Sequence, residues 1–130
     1  MMRLLVDSHL LIWAALGSQK LSKRAVKLLE DDENELWFSV ASVWELSIKS
    51  TKTHRRPALG DIARLRKGLL RNGYLELSIT SEHALAVRGL DIHHGDPFDR
   101  ILVAQADVEG MQLLTADREL AAYPNTLVLR

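Results

Sequence analysis

The chain has 130 residues, 47% hydrophobic and 26% charged, which describes a globular protein long enough for one domain with its own core. Lys plus Arg (17) balances Asp plus Glu (17), so no overall basic field points to nucleic acid, although a local basic face is compatible with that sum. The absence of cysteine excludes disulfides, thiolate metal sites and a cysteine nucleophile, and leaves the redox compartment open.

The apolar run at residues 3–6 reads as a first strand, and it is too short for the core of a signal peptide. It ends at Asp7-Ser8, where Ser8 is expected to cap a helix over residues 9–16 that is apolar nearly all round and is closed by Gly17. Ser22 opens a second helix, to about Glu30, with Ala25, Val26, Leu28 and Leu29 as its core face. Residues 35–40 form a second strand, and 42–52 a third helix begun by Ser42. The stretch 53–60 reads as a loop, too short to divide the chain. Asp61 caps a helix that Asn72-Gly73 stops. A third strand is expected over 74–79, a helix over 81–89, a helix from Asp96-Pro97 to about Val108, a fourth strand over 112–115 and a fifth over 126–129.

Strands alternating with helices predict an α/β fold in three layers, a central mainly parallel sheet of about five strands with helices on both faces. No stretch approaches the length of a membrane span, and a cytoplasmic protein is the expectation. Ligands of open parallel sheets sit beyond the carboxyl ends of the strands. Four acids fall there: Asp7 after the first strand, Glu45 early in the third helix, Asp99 in the first turn of the helix from Asp96-Pro97, and Asp117 after the fourth strand. Like charges about 4 Å apart repel by roughly 4 kcal/mol at an effective dielectric near 20, so such a cluster either holds a proton or binds a cation. Oxygen-only ligands suit Mg²⁺ or Mn²⁺, which can activate water for attack on a phosphodiester.

Each acid also has a local role open to it. Asp96 and Asp99 can cap the helix at Pro97, Glu45 can close a capping box with Ser42, and Asp117 can cap the turn that follows it. Asp7 is different, because a carboxylate ending a buried strand is costly without a partner. The joint pattern favours the site.

The motifs LLVDS at residues 4–8, SVASVWEL at 39–46, DPFDRILVAQA at 96–106 and LLTAD at 113–117 together resemble the PIN-domain family, and within it the VapC-type toxins of bacterial toxin–antitoxin pairs. Each motif alone is weak; the four in order span nearly the whole chain. The resemblance implies a PIN-like fold and a Mg²⁺- or Mn²⁺-dependent endoribonuclease that dimerises and is silenced by a cognate antitoxin. It carries the catalytic and metal-binding acids onto Asp7, Glu45, Asp99 and Asp117, and the supporting hydroxyls onto Ser8 and Thr115. Asp96 is an accessory ligand or only the cap. Antitoxins of this kind lay a peptide beside the acidic site, and the helix at residues 9–16, with Trp13, is either part of that groove or plain core.

Arg64, Lys67 and Arg71 share one helical face, preceded by Lys49, Lys52, Arg55 and Arg56; these can contact RNA phosphates or simply solvate a helix. Arg100 reads as an ion-pair partner that orients the carboxylates, and His93 and His94 as loop residues with a metal role open. Trp37 and Trp44 read as core positions, not base-stacking platforms. The competing class is a non-catalytic α/β interaction module, either receiver-like or a degenerate PIN fold. No glycine-rich turn follows the first strand, which argues against nucleotide cradling by backbone amides.

Overall fold

The structure is a computed structural model and describes residues 1–52, 61–91 and 95–129. Five strands, β1 (Arg3–Val6), β2 (Glu35–Ser39), β3 (Leu75–Leu77), β4 (Gln112–Thr115) and β5 (Thr126–Val128), form one sheet in the order β3-β2-β1-β4-β5, and all four pairings are parallel. The helices are α1 (Ser8–Leu16), α2 (Lys23–Glu30), α3 (Val40–Lys52), α4 (Ile62–Arg71), α5 (Ser81–Ala86) and α6 (Pro97–Glu109), with short 3₁₀ turns at Val87–Gly89 and Arg118–Ala122.

A central parallel strand is covered on both faces, and β1 is written accordingly as an uninterrupted apolar run. Leu4 and Val6 pack on one side with Leu10 and Leu11 of α1, Ala25 of α2 and Leu69 of α4. Leu5 packs on the other with Leu102, Val103 and Ala106 of α6. The side chains of Leu4, Leu5 and Val6 are fully buried, each contributing roughly 1.5–3 kcal/mol of transfer free energy. The three-layer α/β architecture expected of the sequence is the one found.

Most local signals fell where the residues placed them. Ser22 caps α2 through the Ala25 N–H, Asp61 caps α4 through the Ala63 N–H, and Asp96 caps α6 with Pro97 in the first turn. Of the expected core face of α2, only Ala25 is fully buried. Gly17 and Gly110 end α1 and α6 at φ 61° and 67°, a left-handed conformation that costs a residue with a Cβ about 1 kcal/mol or more. Gly110→Ala meets no steric obstacle, so its cost is this backbone strain alone. It is expected to lower the midpoint of thermal unfolding by about 3–5 °C.

Three expectations need correcting. The cap of α1 is Asp7, not Ser8: its Oδ1 accepts the Leu10 N–H at 3.0 Å, and Ser8 is already helical. Helix α3 begins at Val40, directly off β2, so Ser42 is not its cap; its hydroxyl is buried with no hydrogen-bond partner among the described residues. The third strand shrinks to three residues, because β3 is a sheet edge whose first residue, Leu75, is exposed.

Candidate active site

The strand order reverses direction between β1 and β4, so the crevice beyond their carboxyl ends is the switch point at which such sheets bind ligands. Asp7 follows β1 there, and Thr115 ends β4 beside it. Asp7 is 4% exposed, and so is Glu45, which α3 carries to the same place. Each carboxylate is held by a hydroxyl. Thr115 Oγ1 donates a hydrogen bond to Asp7 Oδ2, and Ser8 Oγ donates to Glu45 Oε1 at 2.7 Å. Thr115 Oγ1 in turn accepts the Asp117 N–H at 3.1 Å, which ties the loop bearing Asp117 to Asp7. Asp117 caps the 3₁₀ turn after it through the Glu119 N–H.

Burial pushes the Asp7 carboxyl above its ordinary value of 3.8, and the negative charge of Glu45 adds to the rise. Hydrogen bonds from Thr115 and Leu10, together with the nearby His9, act the other way without cancelling it. Lys49, one helical turn beyond Glu45, places its ammonium 2.8 Å from Glu45 Oε2. This lysine therefore pairs with the acidic site, its side chain about half exposed.

Asp96 and Asp99 open α6, each half-buried, and Asp96 Oδ1 accepts the Phe98 N–H at 2.8 Å. Phe98 meets Trp44 of α3 edge-on, so the first turn of α6 lies against the helix that carries Glu45. Arg100 Nη2 donates to the Val87 carbonyl at 3.3 Å, a bond that fastens α6 to the turn after α5. Among the described residues, no three His, Asp or Glu side chains are gathered closely enough to hold a metal ion. The core of the site is the buried pair Asp7 and Glu45, with Asp117 linked through Thr115 and Asp99 on the neighbouring helix turn.

The donor set suits a hard divalent cation. It consists of carboxylate oxygens and hydroxyls, and its innermost carboxylate is buried deeply enough for its ionised form to be disfavoured. A dication beside Asp7 would offset that penalty.

Trp37 is partly buried against the core and donates its indole N–H to Glu35 at 2.6 Å, as a core position should. Trp44 does not follow suit and is 57% exposed. Because α3 buries Ala41, Ser42, Glu45 and Leu46, position 44 points away from that face. Arg64, Lys67 and Arg71 are exposed on α4, and Arg64 lines a groove of about 780 Å³ between the end of α1, α2 and α4. None of the four acids lines that groove. The expectations for Arg55, Arg56, His93, His94 and the side chain of Lys52 lie outside the described residues.

One buried polar cluster had escaped sequence reasoning. Gln105 of α6 accepts the Ser39 hydroxyl at 2.5 Å and faces His83 Nδ1 at 3.3 Å, while His83 Nε2 lies 2.7 Å from Glu109. His83 also closes a capping box with Thr80 at the start of α5. That box was readable as a Thr three residues before a side chain with an acceptor. The bonds to Gln105 and Glu109 were not, being 22 and 26 residues apart in sequence.

Comparison with known proteins agrees with this fold. The family model for the PIN domain matches residues 4–125. Ribonuclease VapC22 of Mycobacterium tuberculosis is 31% identical over 124 residues, 95% of this chain and 93% of that protein. VapBC2 of Rickettsia felis, solved on a DNA fragment from its promoter, superposes with a TM-score of 0.68 at 15% identity over 98% of this chain and 97% of that one. VapC20 of M. tuberculosis, a toxin that cleaves the sarcin–ricin loop, does so with 0.63 at 18% identity over 98% and 99%. With its buried Asp7–Glu45 pair at the switch point of a five-stranded parallel sheet, the chain belongs to the PIN-domain family.

Proposed function

We propose that this chain is a divalent-metal-dependent endoribonuclease and the toxin of a VapBC-type toxin–antitoxin pair, acting in the cytoplasm. The observation that carries the reading is the buried pair Asp7 and Glu45, each held by a hydroxyl at the sheet's switch point, in a PIN-family chain with a ribonuclease relative at 31% identity.

Asp7, Glu45, Asp99 and Asp117 would hold the cation, with Asp96 as an accessory ligand beyond its capping role; Mg²⁺ and Mn²⁺ both suit oxygen donors. When bound, the metal supplies Lewis acidity at the phosphodiester and acidifies water. The protein's own groups do the rest. Thr115 and Ser8 fix the orientation of Asp7 and Glu45, and Lys49 pairs with Glu45 from the next helical turn. No cysteine or serine is then needed as a covalent nucleophile.

The antitoxin reading rests on the VapBC complexes among the similar structures and on the groove beside α1. Ala14, Ala15 and Leu16 of α1 line it with Leu21, Leu29 and Leu65, an apolar trough for a peptide, and Arg64 stands at its side. Trp13 is packed against the core instead. A homodimer remains part of the proposal through family likeness. Among the described residues, no helix is long and apolar enough to cross a membrane.

The test is cleavage of a mixed RNA pool by purified wild type and Asp99→Asn, each with Mn²⁺ and with EDTA. Cleavage by the wild type with metal alone, and a folded but inactive variant, is the expected result. No metal-dependent cleavage by the folded wild type, and so no difference from the variant, would favour a non-catalytic interaction module.

A further inference from the structure

Trp44 stands more than half exposed, yet its ring is not loose. It meets Phe98 edge-on, ring centroids 4.9 Å apart and planes at 75°. Each ring immediately precedes a candidate acid on its own helix, Trp44 before Glu45 on α3 and Phe98 before Asp99 on α6. The aromatic pair therefore spans the two helices that bring those acids to the site.

The braced, exposed ring offers a flat apolar surface to a ligand. A protein partner would need roughly 800 Å² on each side, with an apolar centre. Among the described residues, Trp44 is the only exposed large hydrophobic that α3 or α6 contributes, so no such patch surrounds it on these helices. What a single braced indole beside a set of acids matches in size is one nucleobase. Charge favours the same occupant. Phosphates approaching Glu45 and Asp99 are repelled unless a cation intervenes, whereas a neutral base can stack close to the acids without that penalty. Phe98 behind the indole limits its rotamers, which reduces the ordering cost of stacking.

We propose that Trp44, braced by Phe98, is a stacking platform for a base of single-stranded RNA next to the phosphate that is cut. This deepens the ribonuclease reading and rests on it for the cutting step, though base stacking itself can be measured without cleavage.

Two measurements test it on the full chain freed of antitoxin. The first is steady-state cleavage of a single-stranded RNA oligonucleotide that the wild type cuts. Trp44→Ala is expected to raise KM roughly five- to 150-fold, the range that loss of one base–aromatic stack produces, with a smaller change in kcat. Trp44→Phe should restore most of the loss, and Leu85→Ala, equally exposed on α5, should behave as wild type. The second is quenching of tryptophan fluorescence by a random-sequence RNA decamer pool with Mn²⁺ in an Asp99→Asn background, expected there and lost when Trp44→Phe is added. A wild type that cuts no RNA, with this quenching present in the Asp99→Asn background, leaves the platform standing and removes the nuclease reading. A KM for Trp44→Ala within twofold of wild type, or no quenching, overturns the platform. So does a sedimentation coefficient showing that Trp44→Ala has dissociated a dimer, since the ring would then belong between copies of the chain.

Discussion

Replacing Asp7 by Asn is expected to reduce RNA cleavage by on the order of a thousandfold while yielding a metal-free protein more stable than the wild type. Asparagine retains an acceptor for the Leu10 N–H and is as good a helix cap as aspartate, so α1 keeps its start. Its amide nitrogen then stands where Oδ2 was and can donate to Thr115 Oγ1, whose own hydrogen turns to another acceptor. What asparagine lacks is the charge, which is the part that a cation needs and that burial penalises.

The pH dependence follows from the direction of the shift. The folded Asp7 carboxyl titrates above its ordinary 3.8, so folding takes up a proton in the interval between the two values. The favourable contribution of the wild-type group is complete below 3.8 and is lost as pH rises through the raised folded value. The advantage of Asp7→Asn should therefore be near zero in acid and complete at neutral pH. Thermal unfolding in EDTA would show it as about 3–5 °C at neutral pH, on the order of 1 kcal/mol. Mn²⁺ should raise the midpoint of the wild type and not that of the variant. A variant less stable than wild type at neutral pH, or one that still cleaves, would mean that burial does not strain this carboxylate or that it is not part of the chemistry.

Gln105→Ala is expected to cost roughly 2–4 kcal/mol of stability, a fall of about 10 °C in the unfolding midpoint. The side chain is wholly buried and joins three parts of the fold. It accepts from Ser39 at the end of β2, donates toward the Ser78 carbonyl after β3, and faces His83 on α5. Truncation opens a cavity and leaves the Ser78 carbonyl without that donor, and the penalty for a buried group left unsatisfied exceeds the net gain from a bond made. Ser39 Oγ also accepts the Ala41 N–H at the first turn of α3, so the loss would loosen the helix that positions Glu45. Gln112→Ala, at the exposed start of β4, is the matched control and should change stability by less than about 0.5 kcal/mol. Urea denaturation of the two variants decides the point; equal midpoints would show that the buried cluster carries no particular weight.

Much of this protein is legible in short windows of its sequence. The uninterrupted apolar runs at residues 4–6 and 113–114 announce strands covered on both faces, and β4 has the bounds that the pattern implies. Ser22, Asp61 and Asp96-Pro97 start helices because capping is an affair of three or four consecutive residues, and Gly17 and Gly110 stop them for the same local reason. The order of the acids along the chain was equally plain, since parallel topology sends every strand's carboxyl end to one edge.

What the sequence alone determined, then, was the α/β class and the sheet edge at which the candidate acids fall, because both follow from periodicity and chain direction. The tertiary structure decided the rest. It turned Trp44 outward, since the phase of α3 depends on where the helix leaves β2 and which face the sheet covers. It gave Asp7 the cap of α1 together with the innermost carboxylate of the site, and it set Lys49 on Glu45. It joined Ser39, His83 and Gln105 across up to 66 residues of chain. No window of sequence contains such pairings, because burial, and with it the strength of every charge and hydrogen bond, is a property of elements packed together.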